Sequence, residues 1–406
     1  MPTKALVRAA EIAHDANHAG DFGIDINGVS VDFGAVMARV RRVIDDGTAW
    51  VEEQIDADPD IDLYREQAVF TSPTTLTAGD ASIEFRHALL APGADPAALP
   101  VAGTDSTRVV TSDDLLKATT LPEHLVVIGA GAVGLEFAQA YSRLGARVTV
   151  LHRGEHIAKS EDPELADLLA EYLREEGIDV RTGAGVERIE EREPGVAVHT
   201  SDGGVVEGDR VLIAAGRAPA LPGLELAAAG VETANGLVQV DDELRTSASH
   251  IYAIGDSTGG LMFTHVATYE APMAVANMLE GSSRKPDYRV IPRAIFTAPE
   301  LAGVGLTEPE AIESGHDVEI RRHDVGKIGK ARAIGDRRGR VKFVVDATSG
   351  ELLGAHILAR HGADLLPGSM VAMNAPNRDL GPLLATIHPH PTLSEAVKIA
   401  ARSRPS

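Results

Sequence analysis

The sequence predicts an α/β protein, with a doubly wound dinucleotide-binding unit mid-chain and a separate α+β domain after it. The first sign is an apolar run, Leu125–Ile128, that feeds Gly129-Ala130-Gly131-Ala132-Val133-Gly134. A helical stretch from Leu135 to Leu144 and a second strand, Arg147–Leu151, complete a strand–helix–strand unit. The second sign is a helix expected from Pro163 to Glu176, with the unit closing at Val211-Leu212-Ile213-Ala214-Ala215-Gly216-Arg217. The third is a change of character after Pro286. Strand-like runs appear there at Ala294–Phe296, Arg340–Val345 and Leu352–Leu358, and a terminal helix starts near Ser394.

The glycine spacing carries a physical reason. Gly129 allows a tight turn, Gly131 lets backbone approach a pyrophosphate, and Gly134 lets helix and strand pack closely. The helix N-terminus then faces the anion. Such a motif is specific only where it follows a strand and opens a helix, as it does here.

Upstream, Ala5, Leu6, Ala9, Ile12 and Ala13 recur at helical spacing, so the chain is expected to be helical from its first residues. A second helix is expected from Phe33 to about Ile55, then short strands around Ala68–Phe70 and Ala88–Ala91, the latter running into Pro92-Gly93.

Composition narrows the function classes. Lys and Arg total 38 against 60 Asp and Glu, a net charge of −22. That argues against nucleic acid and anionic membranes as partners, because both reward basic surfaces. No apolar run approaches the ~20 residues of a membrane span, and no signal peptide is visible, so a cytoplasmic protein is expected. Cysteine is absent from the 406 residues. No disulfide, thiolate metal site or cysteine nucleophile can be built from them, and no metal site is expected.

Three constellations bear chemistry. The second strand of the nucleotide unit ends at Leu151-His152-Arg153. An acidic residue there would hold the ribose hydroxyls of NAD, whereas His152 and Arg153 offer donors and positive charge to a 2′-phosphate. NADP is therefore expected over NAD, although a solvent-exposed basic pair gives the same residues and nearby Glu155 could still hold a ribose. A buried strand ending in Gly255-Asp256 can present a carboxylate to a ribose or ribityl hydroxyl, or simply lead into a turn. Near the C-terminus, His390 and Glu395 could pair, the carboxylate fixing the imidazole for acid–base work. Thr392-Leu393-Ser394-Glu395 reads equally as a capping box, Thr392 as N-cap and Glu395 at N3.

In this order, these residues resemble the class I pyridine nucleotide–disulfide oxidoreductases, the family of dihydrolipoamide dehydrogenase, glutathione reductase and mercuric reductase. The resemblance covers essentially the whole chain. It takes in Leu89–Ala94, the family's A-T-G-S loop in altered form, and Ala214–Pro219, its A-T-G-R-x-P. Phe296–Glu300 with Val304–Glu308 looks like the start of the dimerisation domain. The resemblance implies a two-dinucleotide-binding-domain flavoprotein fold: FAD domain in 1–112 and 237–287, NAD(P) Rossmann-type domain in 113–236, α+β dimerisation domain in 288–406.

It further implies hydride transfer from NAD(P)H to FAD, then to a Cys-x-x-x-x-Cys disulfide and a small thiol or disulfide substrate, within a homodimer. Gly129, Gly131, Gly134, Arg153 and Gly216 are assigned to NAD(P) by the resemblance. Gly93, Gly255, Asp256 and the segment Met262-Phe263-Thr264-His265 are assigned to FAD. Lys4 and Glu136 resemble the lysine–glutamate pair beside the flavin ring, and His390 and Glu395 the pair that shuttles protons as catalytic residues.

The pattern breaks at the start. The family's redox segment is of the type G-C-V-P-T-K-A-L, and the chain begins Met1-Pro2-Thr3-Lys4-Ala5-Leu6. The FAD domain is therefore expected to be N-terminally truncated, lacking its first strand, its G-x-G-x-x-G and both cysteines. A start read too far downstream and a genuinely shortened chain both fit. Losing some five buried side chains at ~1.5–3 kcal/mol each rivals the ~5–15 kcal/mol stability of a domain, so a frayed FAD lobe is expected. Three functions follow: an FAD-dependent NAD(P)H oxidoreductase lacking its redox cysteines, a non-catalytic NADP(H)-binding dimer, or a diaphorase-type remnant.

Overall fold

The computed structural model describes residues 2–405. The chain divides into two compact units. One is built from the stretches up to Gly47, Ala98–Ala215 and from Arg289 onward; the other from Thr48–Ala97 and Gly216–Tyr288.

The first unit holds the nucleotide fold. Its parallel sheet runs in the order Val109–Val110, Arg210–Ile213, His124–Ile128, Arg147–Leu151, Asp179–Arg181. Every residue of His124–Ile128 is buried, as a strand covered on both faces requires. The helix Ala132–Arg143 buries Leu135, Phe137, Ala138 and Tyr141. It begins three residues earlier than expected, because the third glycine of the loop lies inside its first turn rather than before it. The helix Pro163–Glu175 starts from Asp162, whose Oδ1 accepts from Leu165 N–H at 3.4 Å. The helix Pro2–Asn17 lays Leu6, Ala10 and Ala13 into the same core, against Ala132–Arg143.

His14 on that first helix is half-buried and held down to about 4, chiefly by burial, with Arg143 adding and Glu176 opposing. The neutral ring is thus the folded form. Its contribution to stability is fully present above the ordinary value of 6.5 and is lost as pH falls from 6.5 through about 4. Discounted for solvent screening, the loss is about 1 kcal/mol. In urea unfolding followed across that window, His14→Gln is expected to flatten the slope; an unchanged slope would show that His14 does not set it.

The C-terminal part of this unit is an antiparallel sheet ordered Pro292–Ile295, Glu300–Gly305, Leu352–Ala359, Arg340–Asp346, Val318–Asp324. The strands Glu300–Gly305 and Val318–Asp324 have no counterpart in the expected elements. A row of polar residues crosses one face of this sheet. Arg293 pairs with Gly303, Gly303 with His356, His356 with Lys342, and Lys342 with Arg322. Acidic groups around the start of Pro163–Glu175 meet that row. Lys342, 2% exposed, lies 2.8 Å from Asp162, 3.1 Å from Glu164 and 2.7 Å from Glu308. Glu161 pairs with Arg293 at 3.3 Å. Ion pairing thus fastens the C-terminal sheet to the nucleotide fold.

The second unit is a three-stranded meander, Ala68–Ser72, Thr75–Ala78 and Ala81–Glu84, with a parallel pair, Ala88–Leu90 and Ile251–Ala253, and the helix Thr264–Glu280. The expected fraying of this lobe is not what the structure shows. Phe70, Leu90, Leu224, Val238, Ile251 and Ala253 form a buried core of its own. The parallel sheet is nevertheless only two-stranded among the described residues. No helix among the described residues is long and apolar enough to cross a membrane.

Candidate nucleotide-binding site

The glycine-rich loop leaves the strand His124–Ile128 where the sheet order reverses, between the ends of Arg147–Leu151 and Arg210–Ile213. This is the switch point at which open parallel sheets bind ligands. Gly129 N–H donates to Leu151 O at 2.9 Å, and Ala214 N–H to Ile128 O at 2.8 Å, pinning the loop from both sides. The three glycines then differ in what constrains them. Gly129 has φ +110, and a Cβ there would lie 2.3 Å from Ala214 O. A Cβ on Gly134 would lie 2.0 Å from Gly129 O. A Cβ on Gly131 would meet nothing within 4 Å. Gly129 and Gly134 are fixed by the protein's own packing, whereas Gly131 borders open space. Gly131 is also the helix N-cap, without a side-chain cap for the first-turn N–H groups. Free N–H groups at a helix N-terminus suit a pyrophosphate, so the residues fit a nicotinamide dinucleotide.

His152 is half-buried and Arg153 exposed. Burial holds the His152 ring below its ordinary value, and Arg153 and Lys159 act in the same direction. Lys159, exposed on the following turn, is a second cation beside Arg153, the neutral His152 ring offering hydrogen bonding rather than charge, and sequence reading missed it. Its signal was too weak to find, since it lies eight residues past the strand end. We expect Arg153→Glu to lower NADPH affinity relative to NADH by roughly tenfold, the worth of one charge-assisted hydrogen bond. Equal weakening of both nucleotides in a binding titration would remove Arg153 from 2′-phosphate recognition.

Lys4 and Glu136 meet as the resemblance implied, with Nζ 2.6 Å from Oε2. Glu136 is 4% exposed, and its Oε1 accepts from Phe296 N–H at 3.1 Å. Lys4 Nζ also sits 4.3 Å from the Phe296 ring centre. Three residues along the same helix, Gln139 clamps Ala298 through both N–H (2.7 Å) and C=O (2.9 Å).

In the second unit, Gly93, Gly216, Gly255 and Asp256 cluster. Gly93 has φ +73, and a Cβ there would meet nothing within 4 Å. Gly93 O accepts from Ala220 N–H at 3.0 Å, and Gly216 O accepts from Ala97 N–H at 3.0 Å. Arg217 donates to Ala94 O and approaches Asp256 Oδ2 at 3.9 Å. Gly216, assigned to NAD(P) by resemblance, thus lies in the unit of the flavin-side residues. The turn carrying Asp256 is held by Glu270, which sequence reading also missed. Glu270 is 2% exposed; its Oε2 accepts from Gly255 N–H at 2.7 Å and its Oε1 from Tyr288 Oη–H at 2.5 Å. Met262 and Phe263 are half-buried, Thr264 and His265 exposed, and the Phe263 and His265 rings stack at 5.1 Å at the start of Thr264–Glu280. An open backbone at Gly93 and a carboxylate at a strand end fit the sugar side of FAD. A second G-x-G-x-x-G turn opening a helix does not occur among the described residues of this unit.

His390 and Glu395 also meet, Nδ1 to Oε1 at 2.9 Å, with His390 75% exposed. The hydrogen bond from His390 holds the Glu395 carboxyl below its ordinary value. Half of the expected capping box is present: Glu395 Oε2 accepts from Thr392 N–H at 3.1 Å. The other half is not. The helix Ser394–Arg402 has Leu393 as its N-cap, and Thr392 Oγ1 turns to Pro389 O at 2.8 Å instead. Glu395 therefore serves both a backbone N–H and the imidazole, one oxygen each.

Residues 1–271 match the pyridine nucleotide-disulphide oxidoreductase family, and 291–401 its dimerisation domain. The chain belongs to this family. It is 33% identical to dihydrolipoyl dehydrogenase of Bacillus subtilis, over 99% of this chain and 88% of that one. Identity to mercuric reductase of Bacillus cereus is 32%, over 98% of this chain and 64% of the relative. The solved structure of the HOCl-induced flavoprotein disulfide reductase RclA from Escherichia coli superposes with a TM-score of 0.88 at 31% identity, covering 99% of this chain and 89% of that one. As a member of the family, the chain is an FAD-dependent oxidoreductase that uses NAD(P)H.

Proposed function

We propose that the protein takes hydride from a nicotinamide nucleotide, NADPH in preference to NADH, and delivers it through FAD to a disulfide or similar small acceptor, as a homodimer. The observation that carries this reading is the glycine-rich loop at the switch point, open only at Gly131, with His152, Arg153 and Lys159 near the adjoining strand end.

In this reading Gly129, Gly131 and Gly134 hold the pyrophosphate on backbone N–H groups, and the basic cluster takes the 2′-phosphate. Gly93, Gly255 and Asp256 hold FAD, with the segment Met262–His265, and Gly216 serves the nucleotide path. FAD, when bound, accepts hydride from the nicotinamide and passes two electrons on. Lys4 keeps a positive charge, fixed by Glu136, beside the flavin ring. His390, oriented through Nδ1 by Glu395, is left with Nε2 to give or take a proton at the acceptor. The residues group into FAD (1–112 and 237–287), NAD(P) (113–236) and dimerisation (288–406) domains.

The 406 residues contain no cysteine, so none of them can carry the disulfide relay. That single fact supports a second reading, direct diaphorase-type reduction of small acceptors. Steady-state oxidation of NADPH with added FAD separates the two. Turnover with a disulfide supports the first reading, turnover with an artificial acceptor alone supports the second, and no oxidation with either removes both.

A further inference from the structure

In the polar row across the C-terminal sheet, Gly303 is the one position without a side chain, between Arg293 on one neighbouring strand and His356 on the other. Lys342, further along the row, is saturated by carboxylates. Around Gly303 the opposite holds. Glu161 Oε2, Arg293 Nη2 and His356 Nδ1 are all buried and have no hydrogen-bond partner in the protein. They converge on one place: a Cβ on Gly303 would lie 2.7 Å from Glu161 Oε2, 3.0 Å from His356 Nδ1 and 3.4 Å from Arg293 Nη2. Buried polar atoms are rarely left unpaired, and three bordering the same space can share one partner.

Their chemistry selects that partner. His356 Nε2 lies 2.9 Å from Leu306 O, which can only accept, so Nε2 carries the proton and Nδ1 is an acceptor. Burial, with Arg293 and Lys342, keeps this ring neutral against the pull of Asp162. Glu161 presents a carboxyl oxygen, which burial pushes up to about 7 while Arg293 pulls it back. Arg293 can only donate. An anion would face two acceptors, and a cation would face a guanidinium. Water matches all three, donating to Nδ1, accepting from Nη2, and donating to or accepting from Oε2 as Glu161 loses or gains its proton.

The site also reaches the glycine-rich loop. Glu161 N–H donates to Ala158 O at 2.8 Å, and Ala158 N–H donates to Ala130 O at 2.8 Å, within the loop itself. Ala158 has φ 50, in the left-handed region that a non-glycine residue adopts only when its surroundings hold it there. We propose that Gly303 keeps open a buried site for one water molecule, held by Glu161, Arg293 and His356, and that this water fixes the Ala158 turn against the nucleotide loop. The second half rests on reading Gly129–Gly134 as the nicotinamide nucleotide site.

Two measurements on the full chain test this. In a crystal structure that orders buried water, a peak is expected within ~2.6–3.2 Å of all three atoms. Glu161 Oε2 bonded directly to His356 or to Arg293 Nη2, with no peak, would overturn the site. In the second, Gly303→Ala places a methyl where the atoms converge. Calorimetric titration with NADPH, without turnover, is expected to show binding weakened roughly three- to tenfold. Unchanged affinity in a folded G303A chain would overturn the link to the loop. Should G303A not fold, the density still decides the site. Should the unaltered chain bind no NADPH, the loop reading fails and the density again decides the site.

Discussion

Lys342→Ala is expected to destabilise the first unit by about 3–5 kcal/mol, the cost of leaving a buried charge without its partner. Asp162 is fully buried, and its Oδ2 has Lys342 as its partner at 2.8 Å. Glu164 and Glu308 also approach the same ammonium, so the variant gathers three carboxylates with one cation fewer between them. Burial pushes the Lys342 ammonium down, but Asp162, Glu308 and Glu164 outweigh it and hold the group above its ordinary range. Lys342 is therefore charged at neutral pH. The companion test is the double variant Lys342→Met with Asp162→Leu. It removes the buried charges together and is expected to recover part of the loss, because a well-packed apolar replacement avoids the desolvation that the ion pair must overcome. Urea unfolding of the single and double variants measures both. A single variant within about 0.5 kcal/mol of the parent, the range of ordinary surface substitutions, would show that the row does not fasten the sheet.

Gly131→Val is expected to abolish nucleotide binding while leaving the fold intact. A Cβ at this position would meet no protein atom within 4 Å, and the residue has an extended backbone conformation open to any residue. Neither the backbone conformation nor the space around the Cβ resists the substitution. The added methyls would instead fill the space that backbone N–H groups leave for a pyrophosphate, and the expected loss is at least ~100-fold in NADPH affinity, about 2.7 kcal/mol. The contrast with Gly134→Val sharpens the test. There the Cβ would collide with Gly129 O at 2.0 Å, so affinity and stability should fall together. Thermal unfolding beside a nucleotide titration reads both quantities. Gly131→Val with parental affinity would place the pyrophosphate elsewhere.

Local features of the sequence proved legible and cross-strand ones did not. The glycine loop, the strand before it and the His390–Glu395 pair each lie within a few residues, so spacing alone places them. The helix Ala132–Arg143 began earlier than hydrophobic periodicity suggested, because Gly134 is read as loop chemistry although it sits in the first turn. The strands Glu300–Gly305 and Val318–Asp324 escaped notice for a physical reason. One contains two glycines and the other five charged or imidazole residues in seven, since part of their sheet faces carboxylates rather than an apolar layer. The polar row itself joins Arg293, Gly303, Arg322, Lys342 and His356, which only antiparallel pairing brings side by side. Glu270 was hidden in the same way: it looks like an ordinary helical glutamate until the fold sets it under Gly255 N–H.

Hydride transfer from nicotinamide to flavin is the step on which the proposed function rests. The most direct test is anaerobic titration of the FAD-loaded protein with NADPH, and separately with NADH, following the visible flavin absorbance. One equivalent of NADPH is expected to bleach the flavin band, at lower concentration than NADH requires. A protein that holds both FAD and NADPH yet keeps its flavin band would contradict the account.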